Sequence, residues 1–372
     1  MPTALKGLKV LDFSTLLPGP FASMYLADMG AEVIHVESPS RPDLVRIMPP
    51  YANGQATAHS YLNRNKQSIT LDLKDAANIE LIKNKISEFD ILLEQFRPDV
   101  MRRLGLDYET LAEINPRLIY CSITGYGQTG AYKDRAGHDI NYLALAGISG
   151  HSGRQDNGPP PLGVQIADVA GGSLHAVIGI LAAVVERQRS GMGQYIDISM
   201  TDCVASLNSM AASASLAGQT PQGPEKGMLN GAIFYDYYET KDGRYFSVGS
   251  LEPQFMTGLA AALELPILMA KGSSFDPEDR QAIKQALKEK FRSKDFAEWQ
   301  SIFSQLDICV EPVLSLDEAL TSPIAKQRGW VVDVPLSENT DQTEPQLACP
   351  IKFSRSQMRY QFIGQGLGQG KW

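Results

Sequence analysis

His138 stands in the run Gly137-His-Asp-Ile-Asn-Tyr142, and Asp168 follows in Ile166-Ala-Asp168, at the mouth of a long apolar stretch. An imidazole and a carboxyl that converge on one pocket form a two-base proton-transfer pair. Asp139 and Asn141 could orient the imidazole or cap a helix. Gly137 would let the backbone come close to a ligand. Asp168 admits two roles. It could be a helix N-cap accepting from the amides of Ala170 or Gly171. It could also be a functional anion held by a helix N-terminus, with Ala170-Gly-Gly-Ser173 leaving room for a ligand. Glu252, in Ser250-Leu-Glu-Pro-Gln-Phe255, either begins a helix, as acids do in the first turn, or reaches from a small lobe to the His138 imidazole and holds its charged form. Arg64, Lys66, Lys74, Arg97, Arg102 and Arg103 flank strand-like runs and are either phosphate clamps or solvated surface charge. The other histidines, His35, His59, His151 and His175, lack such surroundings, and His175 reads as core.

The elements that must carry these residues alternate. Leu8–Phe13 reads as a strand, Phe21–Met29 as a helix with Pro20 in its first turn, and Glu32–Glu37 as a second strand, which makes a βαβ unit. Ser68–Leu73, Ile91–Gln95 and Arg117–Thr124 continue the strands, with a helix over Ala76–Glu88. The class is α/β, with a doubly wound, Rossmann-like large domain. The first βα turn holds Leu17-Pro-Gly-Pro20 instead of a Gly-rich fingerprint. Its prolines remove the N–H groups that would cradle a pyrophosphate, which argues against an NAD or FAD site there. Asp168–Arg189 reads as one buried helix, Gln194–Met200 as a strand and Thr201–Ala217 as a helix. Lys241-Asp-Gly-Arg244 marks a hairpin, followed by helices over Gln254–Leu263, Asp279–Phe291 and Lys294–Leu306. Gly329–Val334 and Ile351–Phe353 read as strands returning to the first domain, and Gln365–Trp372 as a loose or partner-clasping tail. The resulting division is a large α/β domain over residues 1–218, a linker over 219–230, a smaller α+β domain over 231–325, and a return segment with tail over 326–372.

The chain has 372 residues, 43% hydrophobic and 20% charged, with a net charge of −8. That is an ordinary globular composition, and the negative charge argues against nucleic acid as a partner. The apolar stretch from Val169 to Val185 is slightly short for a membrane span and reads as core. Cys121, Cys203, Cys309 and Cys349 show no metal or disulfide spacing. Each reads as a small buried residue, no metal site is expected, and a cytoplasmic location fits.

Several segments carry a resemblance. Leu5-Lys-Gly-Leu-Lys-Val-Leu-Asp-Phe13, Leu17-Pro-Gly-Pro20, Asp28-Met-Gly-Ala-Glu-Val-Ile-His-Val-Glu37, Leu71-Asp-Leu-Lys74, Arg97-Pro98, Ile123-Thr-Gly-Tyr-Gly-Gln-Thr-Gly130 and Gly193-Gln-Tyr-Ile-Asp-Ile198 resemble the family III CoA-transferase superfamily. Gly137–Tyr142 and Leu251–Phe255 are similar to its α-methylacyl-CoA racemase branch. The resemblance implies an interlocked homodimer acting on an acyl-CoA, with CoA as part of the substrate and no separate cofactor, metal or membrane. It implies that His138 and Asp168 are the acid/base pair and that Glu252 partners the histidine. It makes Leu71, Asp72, Leu73, Lys74, Gln95, Phe96, Arg97, Arg103, Gly137, Asp139, Ile140, Asn141 and Tyr142 the CoA-contacting residues. Related racemases tend to carry arginine where this chain has Ser38, and Arg41 and Arg46 are the candidates to replace it. The implied reaction inverts the α-carbon of a 2-methylacyl-CoA through an enolate, with a backbone N–H near Asp139 as the enolate donor. The alternative is CoA transfer between carboxylic acids through an Asp168 thioester.

Overall fold

The computed structural model describes residues 2–218, 223–274 and 276–372. Residues 219–222 of the expected linker therefore lie outside the described residues. The chain divides into two compact units.

The first unit comprises Met1–Ala146, Leu162–Leu207 and Pro323–Trp372. Its frame is a six-stranded sheet: β1 (Lys9–Asp12), β2 (Glu32–Glu37), β3 (Lys66–Thr70), β4 (Ile91–Glu94), β5 (Ile119–Thr124) and β6 (Tyr195–Ser199). Every neighbouring pair is parallel, and the spatial order is β3-β2-β1-β4-β5-β6. Chain order thus reverses between β1 and β4, and open α/β sheets gather ligands outside the strand C-termini at such a switch. The central strands read as apolar runs because helices cover both faces. Val10, Leu11, Ile91, Leu92, Leu93 and Ile119 are all fully buried.

Helix α1 (Pro18–Asp28) starts three residues before the expected Phe21, with proline in its first turn. Pro18 and Pro20 carry no N–H, and the remaining amide, Gly19, donates to the Gln95 side chain at 2.9 Å. The turn that holds a pyrophosphate in dinucleotide folds is thus filled by the protein's own amide oxygen. Further helices in this unit are α2 (Ala76–Lys85), α3 (Asp139–Leu145), α4 (Leu174–Ser190) and α5 (Met200–Leu207). The expected helix from Asp168 begins as a π-helical turn over Ala167–Ser173 and runs on as α4. The continuous stretch Ala167–Ser190 is long and apolar enough to cross a membrane by length and composition. In the fold it packs on β5, β6 and α1.

Several basic residues turn out to be structural. Arg64 is fully buried and grips Asp28 with two bonds, Nε to Oδ1 at 2.9 Å and Nη2 to Oδ2 at 2.6 Å. Its Nη1 donates to the Leu347 carbonyl at 2.7 Å, and its plane lies over Tyr61 and Tyr360. Lys66 Nζ is buried against the Pro20 carbonyl at 2.9 Å and Asn63 Oδ1 at 3.0 Å. Burial lowers its pKa to about 8 even with Asp12 nearby. Neither residue is a phosphate clamp, because every donor of these buried groups must find a partner inside. His35, unremarkable in sequence, is buried between Asp12 at 3.4 Å and Glu37 at 3.8 Å.

The return segment holds a two-stranded sheet, Val331–Pro335 against Thr343–Leu347. The second of these replaces the expected strand at Ile351–Phe353, which is irregular. Its inward residues are polar: Glu344 accepts from Ser60 Oγ at 2.5 Å, and Gln346 donates to the same hydroxyl at 3.0 Å. An apolar alternation was therefore never there to read. The tail is docked instead of loose. Gly370 N donates to Ser68 O, Ser68 N donates to Gln365 Oε1, and Trp372 packs edge-on against Phe89. These bonds cover edge strand β3, which would otherwise present unpaired backbone groups.

The second unit comprises Gly147–Pro161 and Asn208–Ser322. This corrects the expected domain limits. The helical run from Thr201 breaks at Asn208 into two helices, and residues 208–218 and 223–230 belong with the smaller unit, as does 147–161. Its boundary falls at Ser322 instead of 325. A three-stranded antiparallel sheet, Asp236–Glu239, Tyr245–Val248 and Val310–Pro312, confirms the hairpin at Lys241. Helices Pro253–Leu263, Pro277–Phe291 and Phe296–Phe303 close a core in which Trp299 stacks on Phe303 at 5.3 Å and donates to the Phe291 carbonyl. All four cysteines are unpaired, and Cys309 is exposed instead of buried.

One buried acid makes stability depend on pH. Glu94, at the end of β4, accepts from Ser122 Oγ and from Phe96 N at 2.7 Å, and burial raises its pKa to about 7. An unfolded glutamate ionises near roughly 4.3. The folded chain therefore keeps a proton that the unfolded chain loses, and this contribution to stability fades as pH rises through about 7. Glutamine can accept from Phe96 and donate to Ser122. Glu94→Gln is thus expected to match the wild type near about pH 4.5 and to exceed it by about 1–3 kcal/mol at about pH 8, read by urea unfolding at both values.

Candidate active site

At the C-terminal ends of β4 and β5, beside the switch, lies a cavity of about 390 Å³. Gln95, Phe96 and Arg97 enter it from the β4 end, Thr124, Gly125 and Tyr126 from the β5 end, and Gly137, His138, Asn141 and Tyr142 from the head of α3. Six of the residues expected to contact CoA therefore share one cavity with His138. Lys133 and Arg135, overlooked in the sequence, add positive charge to its wall, and Met200 adds an apolar surface. The signal was present in Lys133-Asp-Arg135, separated from Gly137 by Ala136 alone.

The chain places His138 by close packing. Tyr142 is wedged between two glycines, and a Cβ on Gly125 or Gly137 would sit 2.6 Å from its ring. Its hydroxyl donates to the Gly137 carbonyl at 2.5 Å, and Tyr126 meets its ring edge-on. Gly137 thus makes room for these two tyrosines, where the sequence suggested room for a ligand. His138 precedes the first turn of α3, and its N–H donates to Asn141 Oδ1 at 3.0 Å. The imidazole is exposed.

Asp168 is not a helix N-cap. It lies inside the π-helical turn, whose N-cap is Ile166. The amides of Ala167 and Asp168 donate instead to Asp139 Oδ1, at 2.5 and 3.1 Å. Asp139 therefore uses its carboxylate on the protein itself. The wide turn is packed from outside: a Cβ on Gly171 would meet Val204 at 2.9 Å, and one on Gly172 would meet Met200 at 3.0 Å. His175, half-buried instead of core, braces it through Nδ1 against the Ala170 carbonyl at 2.8 Å. Burial first, and the charge of Asp139 second, raise the Asp168 pKa to about 6, with His138 opposing. π-Turns recur at functional positions, and a carboxyl raised towards neutrality can both hold and release a proton.

The other expected contacts lie elsewhere. Leu71 is part of the core, with Asp72, Leu73 and Lys74 following it past the end of β3. Asp72 turns back to accept from Lys74 N at 3.0 Å. Arg102 and Arg103 are exposed on the short helix Val100–Leu104, and Ile140 is exposed on α3. None of these lines the His138 cavity. Of the two substitutes for the arginine missing at Ser38, Arg46 is committed to Glu37, Nε to Oε1 at 2.8 Å and Nη2 to Oε2 at 2.5 Å. Arg41 is exposed, its amide bound to Ser38 Oγ at 3.3 Å. Glu252 is in the second unit, exposed, at the N-cap of helix Pro253–Leu263, and its side chain makes no capping bond. Among the described residues, no three His, Cys, Asp or Glu side chains converge at metal-binding spacing.

The sequence profile of the family described as CoA-transferase family III matches residues 5–368. The mouse alpha-methylacyl-CoA racemase is 40% identical over 332 residues, 87% of this chain and 81% of its own. Human succinyl-CoA:glutarate CoA-transferase is 33% identical over 336 residues, 89% of this chain and 76% of its own. A CAIB/BAIF family protein from Brucella suis, whose crystal structure is known, has the same mixed α/β fold. Its TM-score is 0.86 at 32% identity, covering 99% of this chain and 97% of that one. A match that runs almost end to end, in sequence and in fold, means that this chain belongs to CoA-transferase family III.

Proposed function

We propose that the chain is a racemase that inverts the α-carbon of 2-methylacyl-CoA thioesters by moving protons between His138 and Asp168. The observation that carries this reading is the tie between the two groups. His138 precedes the residue whose carboxylate holds the amide of Asp168, and Asp168 is raised to about 6, into the range where histidine also titrates. A thioester α-proton is a weak acid, so a base must meet it on each face and the enolate oxygen needs a donor. Neutral imidazole takes the proton on one face while protonated Asp168 delivers one to the other, and the roles exchange in the opposite direction. The N–H of Asp139, in the first turn of α3, has no acceptor within its own helix and is the donor for the enolate oxygen. The net change is redox-neutral, so the reaction asks for no electron carrier. CoA is part of the substrate, and Arg97, Lys133 and Arg135 supply charge for its phosphates.

The working unit in this proposal is an interlocked homodimer in the cytoplasm, with Glu252 of a partner's small unit reaching the imidazole. It is supported by an imidazole that is exposed in the single chain and by apolar side chains left bare on α4, where Ile178 and Val185 are 63% and 58% exposed. The four unpaired thiols suit a reducing compartment.

The identity with a CoA-transferase favours one second reading, in which Asp168 attacks an acyl-CoA to form a mixed anhydride and release CoA thiolate, which then attacks the aspartyl carbonyl, expels the acyl carboxylate and leaves an aspartyl thioester. The two differ at Asp168. With acyl-CoA, hydroxylamine and deuterated buffer together, the racemase reading expects an unmodified Asp168 peptide by mass spectrometry and deuterium accumulating at Cα. A hydroxamate at Asp168, with no deuterium at Cα, would establish transfer.

A further inference from the structure

We propose that the Asp139 side chain is a positioning residue for Asp168: it anchors the turn that carries the carboxyl and keeps a fixed negative charge beside it. The role rests on the proton-transfer reading above and assigns a task to a side chain that the sequence suggested as a CoA contact. Three observations carry it. The first is geometry. One oxygen of Asp139 receives two consecutive amides, those of Ala167 and Asp168. Two donors on one oxygen hold the backbone that carries Asp168, because moving the turn would break both bonds. The second is the turn itself. A π-helical start leaves the leading amides without helical acceptors, and Asp139 is what receives two of them. The third is charge. A carboxylate that near disfavours ionisation of its neighbour.

Other groups around the turn do not duplicate this role. From α3 come His138, which favours the Asp168 anion, and Tyr142, whose hydroxyl is committed to Gly137. From α4 comes His175, bound to the Ala170 carbonyl. Asp202 and Cys203 lie on α5 and Asp197 on β6, whereas α1 meets the turn through Pro18. Asp139 is the charged group that both touches the Asp168 backbone and opposes its ionisation. Burial and this charge act in the same direction on Asp168, and a proton held more firmly on the carboxyl suits a reversible two-base inversion. An ordinary aspartate would sit about 2–3 units below histidine, and the state with Asp168 protonated and the imidazole neutral would be rare.

The test separates the two halves of the role. Asp139→Asn keeps an oxygen for the amides and removes the charge. Asp139→Ala removes both. In Asp139→Asn the acid limb of the kcat/KM profile for inversion is expected to move about one unit lower in pH, with KM nearly unchanged. Because enantiomers interconvert with an equilibrium constant of one, kcat/KM must fall equally in both directions. Asp139→Ala is expected to lose roughly tenfold more activity than Asp139→Asn, with circular dichroism and melting unchanged in outline. An independent readout uses no substrate. Infrared titration of ¹³C-aspartate protein, with Asp168→Asn as the subtraction, follows the Asp168 carboxyl directly. Its midpoint is expected to drop in Asp139→Asn. A midpoint and a pH profile identical to wild type in Asp139→Asn would overturn the proposal. If the wild type shows no inversion at all, the functional reading fails while the infrared titration still decides Asp139.

Discussion

His138→Ala and Asp168→Ala are each expected to lose inversion by about 10²–10⁴-fold, yet each should still wash deuterium into one enantiomer. The enantiomers are opposite for the two variants. With alanine at 138, the carboxyl of Asp168 can remove and return the proton on its own face, so the substrate that presents its α-hydrogen there exchanges without changing hand. With alanine at 168, the imidazole does the same for the mirror substrate. No arrangement with a single base gives this crossed result, because one base would serve both substrates or neither. Asp168→Asn should follow Asp168→Ala, since an amide neither takes nor gives the proton. A loss of this size is expected from removing one member of a general acid/base pair. If both variants exchange both enantiomers at near wild-type rates, inversion does not pass through these residues.

The second large effect concerns stability. Arg64 and Asp28 are both fully buried and bind each other bidentately. Truncating either one strands a charge in the interior, and Arg64→Met or Asp28→Ala is expected to cost about 3–5 kcal/mol in chemical unfolding. The paired replacement Arg64→Met with Asp28→Leu should recover most of that, because no lone charge remains. Arg64 also holds the Leu347 carbonyl and Gln346, and lies over Tyr360. In Arg64→Met the return segment should therefore become a protease target before the central sheet does. Equal stability of the single and paired variants would show that the pairing contributes nothing.

His138 and Asp168 stand out as candidates because proton transfer needs those side-chain types, and the βαβ order was legible because buried parallel strands are apolar runs between glycines and prolines. The bonds that Asp139 makes were not legible. Its carboxylate meets amides 28 and 29 residues away, and nothing local announces that contact. Arg46, Arg64 and Lys66 look like Arg97 in sequence. Burial decides between them: Arg64 and Arg46 bond to the return segment and tail, and Lys66 lies against Pro20 and Asn63. The strand Thr343–Leu347 hid because its inward residues serve polar partners, Ser60 and Arg64. The π-helical turn depends on Met200 and Val204 pressing against Gly171 and Gly172, contacts that exist only once β6 has delivered α5.

The central claim is that imidazole and carboxyl share one carbon. The most direct measurement places a single enantiomer of a 2-methylacyl-CoA with the wild-type protein in deuterated buffer and follows configuration and α-deuterium together by NMR. The account predicts product of the opposite hand carrying one solvent deuterium at Cα, formed as the starting hand disappears. Retained configuration with no deuterium at Cα, while CoA passes to an added carboxylate, would contradict it.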